Sequence, residues 1–154
     1  MRAKPVSLLG AVLVAGGLHA EEPASIPSVK KNFHLFLLMG QSNMSGGVGI
    51  AADDTQPVPH VLKMRFAKEG EEPKWTPGAH PLHPRRPNKK KRFGPGISFA
   101  EAYLDDNPGV VVGLVPMAWG GRSIEQLSKG SGIYSDAIRH TKAAMQAGTL
   151  KGVL

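Results

Sequence analysis

Six consecutive residues, Val110-Val111-Val112-Gly113-Leu114-Val115, carry no polar side chain. Most are β-branched, which suits a pleated strand. A strand with one wet face alternates apolar and polar residues; a strand with no alternation needs apolar cover on both faces, as in a parallel sheet packed between helices. A second such run, Phe33 to Met39, is broken only by His34. Between the two, Ile97, Ala100 and Leu104 recur at helical spacing, after the Gly94-Pro95-Gly96 turn and before the breaker Asn107-Pro108-Gly109. A helix feeding a buried strand completes a strand–helix–strand unit and favours parallel pairing. The fold expected is therefore α/β, with a mainly parallel sheet.

Shorter signals fill in the rest. Val61 to Phe66 alternates apolar and basic residues and reads as a short strand. Trp75 to Lys91 holds too many prolines for regular structure and reads as a long loop. Ile133 to Ala147 is amphipathic, with Tyr134, Ala137, Ile138, Thr141, Ala144 and Met145 on the apolar face and Arg139, His140, Lys142 and Gln146 opposite. His140 is thus expected at the surface, with Asp136 one turn earlier as an ion-pair partner. Gly148 ends this helix, and Lys151 to Leu154 begins another strand.

The chain of 154 residues fits one domain with a true core. It has no cysteine, which excludes disulfides, thiol catalysis and Cys-ligated metal. The formal net charge of +7 is local, since six basic residues lie between Arg85 and Arg92. No aromatic residue is interleaved in that run, so it reads as a solvated loop and not as a nucleic-acid site. Residues 1–20 have the order of a secretory signal peptide: Arg2 and Lys4, an apolar stretch from Val6 to Leu18, then Leu18-His19-Ala20 as a cleavage site. The apolar stretch is shorter than the roughly 20 residues of a spanning helix, so stable membrane insertion is not expected. Residues 21–31 form a linker, and the expected location is secreted or periplasmic.

Chemistry concentrates where the first strand ends. Phe33 to Met39 turns abruptly polar at Gly40-Gln41-Ser42-Asn43-Met44. Ligands of open α/β sheets bind at the carboxyl ends of strands. A serine held there is a candidate nucleophile once a base activates it. This is not the G-x-S-x-G elbow, because Met44 stands where that motif needs glycine. The second buried strand ends at Trp119-Gly120-Gly121-Arg122. Its glycines offer backbone N–H groups suited to an oxyanion, and equally suit a plain turn. Ser98, also after a glycine-rich turn, reads better as a helix-start residue. Gly46, Gly47 and Gly49 read as a loose loop. His80 and His83 have no acidic or Cys partner nearby, so no metal site is expected.

Three blocks of this sequence resemble one family. Gly40-Gln41-Ser42-Asn43-Met44, Gly94-Pro95-Gly96-Ile97-Ser98-Phe99-Ala100 and Gly120-Gly121-Arg122-Ser123-Ile124 are similar to segments of the SGNH-type carbohydrate esterases, which include sialate O-acetylesterases and acetylxylan esterases. Arg122 departs from that pattern, where many members carry a small or polar residue. The resemblance spans residues 32–154 and implies a three-layer sandwich of the SGNH or flavodoxin-like kind. It implies hydrolysis of O-acetyl esters on carbohydrate through an acyl-serine intermediate, with no cofactor. By the same resemblance Ser42 is the nucleophile and the N–H groups of Ser42 and Gly120 form the oxyanion hole. Gln41 and Asn43 would shape the pocket, and Trp119 and Arg122 would contact the sugar.

The family also carries a late Asp-x-x-His that supplies the base and its orienting acid, and no Asp-x-x-His occurs in this sequence. The expectation is that the chain is the N-terminal portion of such a domain, with an incomplete sheet. The competing expectation is an exported carbohydrate-binding or scaffold protein without turnover.

Overall fold

The computed structural model describes residues 24–83 and 92–154. The leader, the first residues of the linker and all of the basic run except Arg92 lie outside them. The elements, in order, are β1 (Phe33–Gly40), α1 (Ser42–Ser45), β2 (Val48–Gly49), β3 (Val61–Met64), β4 (Trp75–Pro77), β5 (Arg92–Phe93), α2 (Gly96–Asp106), β6 (Val111–Ala118), α3 (Ile124–Leu127), α4 (Gly132–Ala147) and β7 (Thr149–Val153).

Five strands form one sheet in the order β4-β3-β6-β1-β7. Every pairing is parallel except β3 with β4. β1 and β6 match residue for residue, from Phe33 beside Val111 to Gly40 beside Ala118. The two continuous apolar runs are therefore neighbours, as residues needing cover on both faces should be. One face packs on α4 through Phe33, Leu35, Leu37, Val115 and Met117 against Ala137 and Ala144. The other packs on α2 through Phe36, Leu38, Val112 and Leu114 against Ile97 and Ala100. This is a three-layer α/β sandwich. Each fully buried large side chain contributes about 1.5–3 kcal/mol, and Phe33, Leu35, Leu38 and Leu114 are all wholly enclosed. Gly113 has the room Phe33 takes: a Cβ there would fall 2.7 Å from the Phe33 ring.

Four expectations change. Trp75 to Pro77 is not loop but strand β4, held antiparallel on β3 and by the Trp75 ring edge-on to Phe33 at 4.8 Å. Gly46 to Gly49 is not loose: β2 pairs with β5. Gly46 (φ 97°) lies so close under the Phe93 carbonyl that a side chain would collide with it. The buried face of α4 is rotated from the one the pattern proposed. It holds Ala137, His140, Thr141 and Ala144, while Ile138 and Met145 are 37% and 41% exposed. The expected Asp136–His140 ion pair is replaced by Asp136–Arg139, with Oδ1 and Nη2 at 2.8 Å.

The chain leaves β1 toward β3 on one side of the sheet and leaves β6 toward β7 on the other. The carboxyl ends of β1 and β6 stand side by side, and ligands of open α/β sheets bind beyond the carboxyl ends of their strands. No helix among the described residues is long and apolar enough to cross a membrane.

Candidate active site

Ser42 opens α1, directly after β1, and is half-buried. Its Oγ donates a long hydrogen bond, 3.4 Å, to Oε1 of the exposed Gln41. The turn after β6 returns to the same spot. Trp119 N–H donates to the Gly40 carbonyl at 2.9 Å. A methyl group built on Gly120 would lie 3.7 Å from Ser42 Cα, 3.8 Å from Ser42 Cβ and 3.5 Å from Ser45 Oγ. Gly120 is thus packed directly on the serine, and its N–H pairs with no acceptor among the described residues. Gly121, at φ 74°, makes the reversal that brings the chain back over α1. Ser98, by contrast, is exposed in the first turn of α2, whose N-cap is Pro95.

Two donors in this turn are buried without a partner among the described residues: Trp119 Nε1 and Arg122 Nε. Buried polar groups are nearly always hydrogen-bonded, and such orphans are commonest where a ligand or water completes them. The Trp119 ring is half-buried and already meets Phe66 edge-on at 5.8 Å, so only part of it faces outward. Asn43 is exposed.

None of the described histidines hydrogen-bonds to Ser42. His34 is engaged at both nitrogens, with Tyr103 Oη at 2.9 Å and the Lys31 carbonyl at 3.0 Å. His140 is not at the surface as its place in the pattern proposed, but 1% exposed. Its Nε2 accepts from Ala67 N–H at 2.9 Å and its Nδ1–H donates to the Asp136 carbonyl at 2.8 Å. The two buried imidazoles that sequence reasoning set aside, His80 and His83, lie on the α2 side of the sheet. His80 packs on Phe93 at 4.3 Å, and neither of its nitrogens has a partner among the described residues. His83 Nδ1 accepts from Ala118 N–H at 3.1 Å. Burial depresses both, His83 to about 4. The one sequence signal for this burial was Leu82, an apolar residue inside a stretch read as a long loop. Among the described residues no three His, Asp or Glu side chains gather as metal ligands.

The family model for SASA, described as a carbohydrate esterase, sialic acid-specific acetylesterase, matches residues 32–154. This chain belongs to the SASA carbohydrate esterase family. A probable carbohydrate esterase of Arabidopsis thaliana is 29% identical over 150 residues, covering 87% of this chain and 56% of that protein. An X-ray structure of an Arabidopsis thaliana protein superposes with a TM-score of 0.64 at 28% identity, over 78% of this chain and 55% of that one. The crystal structure of NanS superposes with a TM-score of 0.52 at 17% identity, over 81% of this SASA-family chain and 53% of its own, and supports the shared fold. The chain spans about half the length of these relatives.

Proposed function

We propose that this protein removes O-acetyl groups from carbohydrate, with Ser42 as nucleophile. The observation that carries the reading is the packing of Gly120 on Ser42 at the carboxyl ends of two adjacent parallel strands. The Ser42 oxygen attacks the acetyl carbon, and the carbonyl oxygen becomes the oxyanion. The Ser42 and Gly120 N–H groups would donate to it. The sugar hydroxyl leaves, and water then releases acetate from the serine. Each preorganised N–H is worth about 3 kcal/mol in the transition state. Trp119 Nε1 and Arg122 Nε supply the unsatisfied donors that a sugar hydroxyl or carboxylate would complete, with Gln41 and Asn43 at the exposed rim. Export under the leader in residues 1–20 would direct this activity to extracellular or periplasmic glycans.

A second reading, carbohydrate binding without turnover, is favoured by one observation: Ser42 Oγ contacts no base among the described residues, only the amide of Gln41. Free serine is a poor nucleophile without one. Hydrolysis of p-nitrophenyl acetate and of an O-acetylated sugar, by this chain and by Ser42→Ala, separates the two. The esterase reading expects a loss of several orders of magnitude in Ser42→Ala. Equal rates at background from both proteins, with retained affinity for the sugar, leave binding alone.

A further inference from the structure

We propose that His83 is a positioning residue, which fixes the Gly120 turn over Ser42 by taking the Ala118 N–H at the end of β6. The proposal rests on the esterase reading only for its catalytic consequence.

The argument begins with strand parity. Successive residues of a strand point their N–H groups to opposite neighbours. Trp119 N–H goes to β1, at the Gly40 carbonyl, and Val112 N–H goes to the β3 side, at the His60 carbonyl. Even-numbered residues of β6 therefore turn their N–H toward β3. That neighbour is short, however. The β3–β6 pairing ends at Lys63 beside Leu114. Pro116 has no N–H to satisfy. Ala118 does, is 2% exposed, and lies beyond the last paired residue of β3. Left alone it would be a buried orphan donor, a defect costing about 1–3 kcal/mol. His83 Nδ1 fills the place of the absent strand at 3.1 Å.

The bond has a fixed direction. Ala118 can only donate, so Nδ1 must accept and the ring proton sits on Nε2. An imidazolium could not accept there. The surroundings agree: burial disfavours the charged ring most, the Met44 backbone on α1 favours it, and His80 beside it disfavours it. Lys63 holds the loop that carries the ring, its Nζ donating to the Ala79 carbonyl and, at 3.0 Å, to the Pro81 carbonyl. His83 thus lies among α1, β6 and its own loop, bonded to the residue two before Gly120. Anchors at Ala118 and Trp119 fix both sides of the strand end, and Gly120 is the next group along. Loss of one anchor displaces an oxyanion donor, and a misplacement on the order of 1 Å can cost about a hundredfold in rate.

The test uses the full chain, His83→Asn, whose Oδ1 can replace Nδ1 as acceptor, and His83→Phe, which keeps a ring without one. In wild-type protein, nitrogen-15 spectra of the imidazole should show a bare Nδ1 and a protonated Nε2 near neutral pH. In His83→Phe the amide signals of Ala118 and Gly120 should shift, and kcat should fall about a hundredfold with KM within about twofold. His83→Asn should restore the amide signals and bring kcat to within about tenfold of wild type. A protonated Nδ1, unmoved amide signals in His83→Phe, or Asn and Phe variants equally impaired would each overturn the proposal. Because the amide and tautomer readouts need no turnover, a protein whose rate is indifferent to Ser42→Ala refutes the esterase reading while still deciding whether His83 holds the turn.

Discussion

His140 ties α4 to the backbone that follows β3, and removing its acceptor should unfold the protein measurably more easily. Ala67 is buried, outside any strand, and needs partners for both backbone groups. Helix α4 supplies both: His140 Nε2 takes the N–H at 2.9 Å, and Arg139 Nη2 donates to the carbonyl at 2.7 Å. The His140 ring also stacks on Phe66, with centroids 5.0 Å apart and planes 20° from parallel. His140→Phe keeps the stack and loses the acceptor, so it isolates one orphaned N–H, worth about 1–3 kcal/mol. The bond from Nδ1–H to the Asp136 carbonyl matters less, because a helix carbonyl already accepts from the i+4 amide. His140→Ala also opens a cavity, for a total of about 3–5 kcal/mol. His140→Gln can offer Oε1 near the Nε2 position and should recover part of the difference. Urea unfolding followed by circular dichroism and by tryptophan fluorescence, to which Trp119 beside Phe66 contributes, gives all three values. A Phe variant as stable as wild type, within about 0.5 kcal/mol, would refute the reasoning.

Acid should weaken the fold through the buried imidazoles. His83 titrates at about 4 in the folded protein against 6.5 when free. Between those values the unfolded chain binds the extra proton, so the stability present above pH 6.5 falls as pH drops toward 4, by about 3 kcal/mol in all; denaturant midpoints from pH 7 to 4.5 should show this slope and His83→Asn should flatten it. Gly113→Ala drives a Cβ to 2.6 Å from Leu35 Cδ2 and should cost about 1–3 kcal/mol in urea titrations, whereas Gly120→Ala makes only ordinary contacts and should fold normally. Ser42→Ala should leave the thermal midpoint unchanged, since the hydroxyl makes one long, exposed hydrogen bond, while removing esterase activity.

The sheet and the serine's place in it were legible because they rest on local pattern. Phe33 to Met39 and Val110 to Val115 lack alternation, and in the structure they are adjacent strands covered on both faces. A strand that ends in glycine and then serine puts the serine at a sheet's carboxyl end whatever its partners are. The approach of Gly120 to Ser42 follows once β1 and β6 are neighbours in register. What escaped was set by partners distant in sequence. His140 has the spacing of a polar face on α4; it is buried because Ala67, 73 residues away, needs an acceptor. Trp75 sits among prolines, yet pairs with Met64 and packs on Phe33 because β3 offers a free edge there. Gly46 looked like flexibility and is instead a close approach to Phe93.

The amides of Ala67 and Ala118 pose one physical problem, and it bears on how the site is built. A parallel strand that outruns its neighbour strands backbone donors at its carboxyl end, which is also where a hydrolase needs donors facing an oxyanion. The two demands conflict unless the strand end is satisfied selectively. Here Ala118 N–H goes to His83, Trp119 N–H goes to Gly40, and Gly120 N–H is left without an acceptor among the described residues. Histidine suits the first task because a neutral ring accepts at one nitrogen from a buried, rigid position. An aspartate there would bring a charge into a buried position. On this view His83 and His140 work as backbone partners, and the chemistry of the site depends on which N–H His83 leaves free.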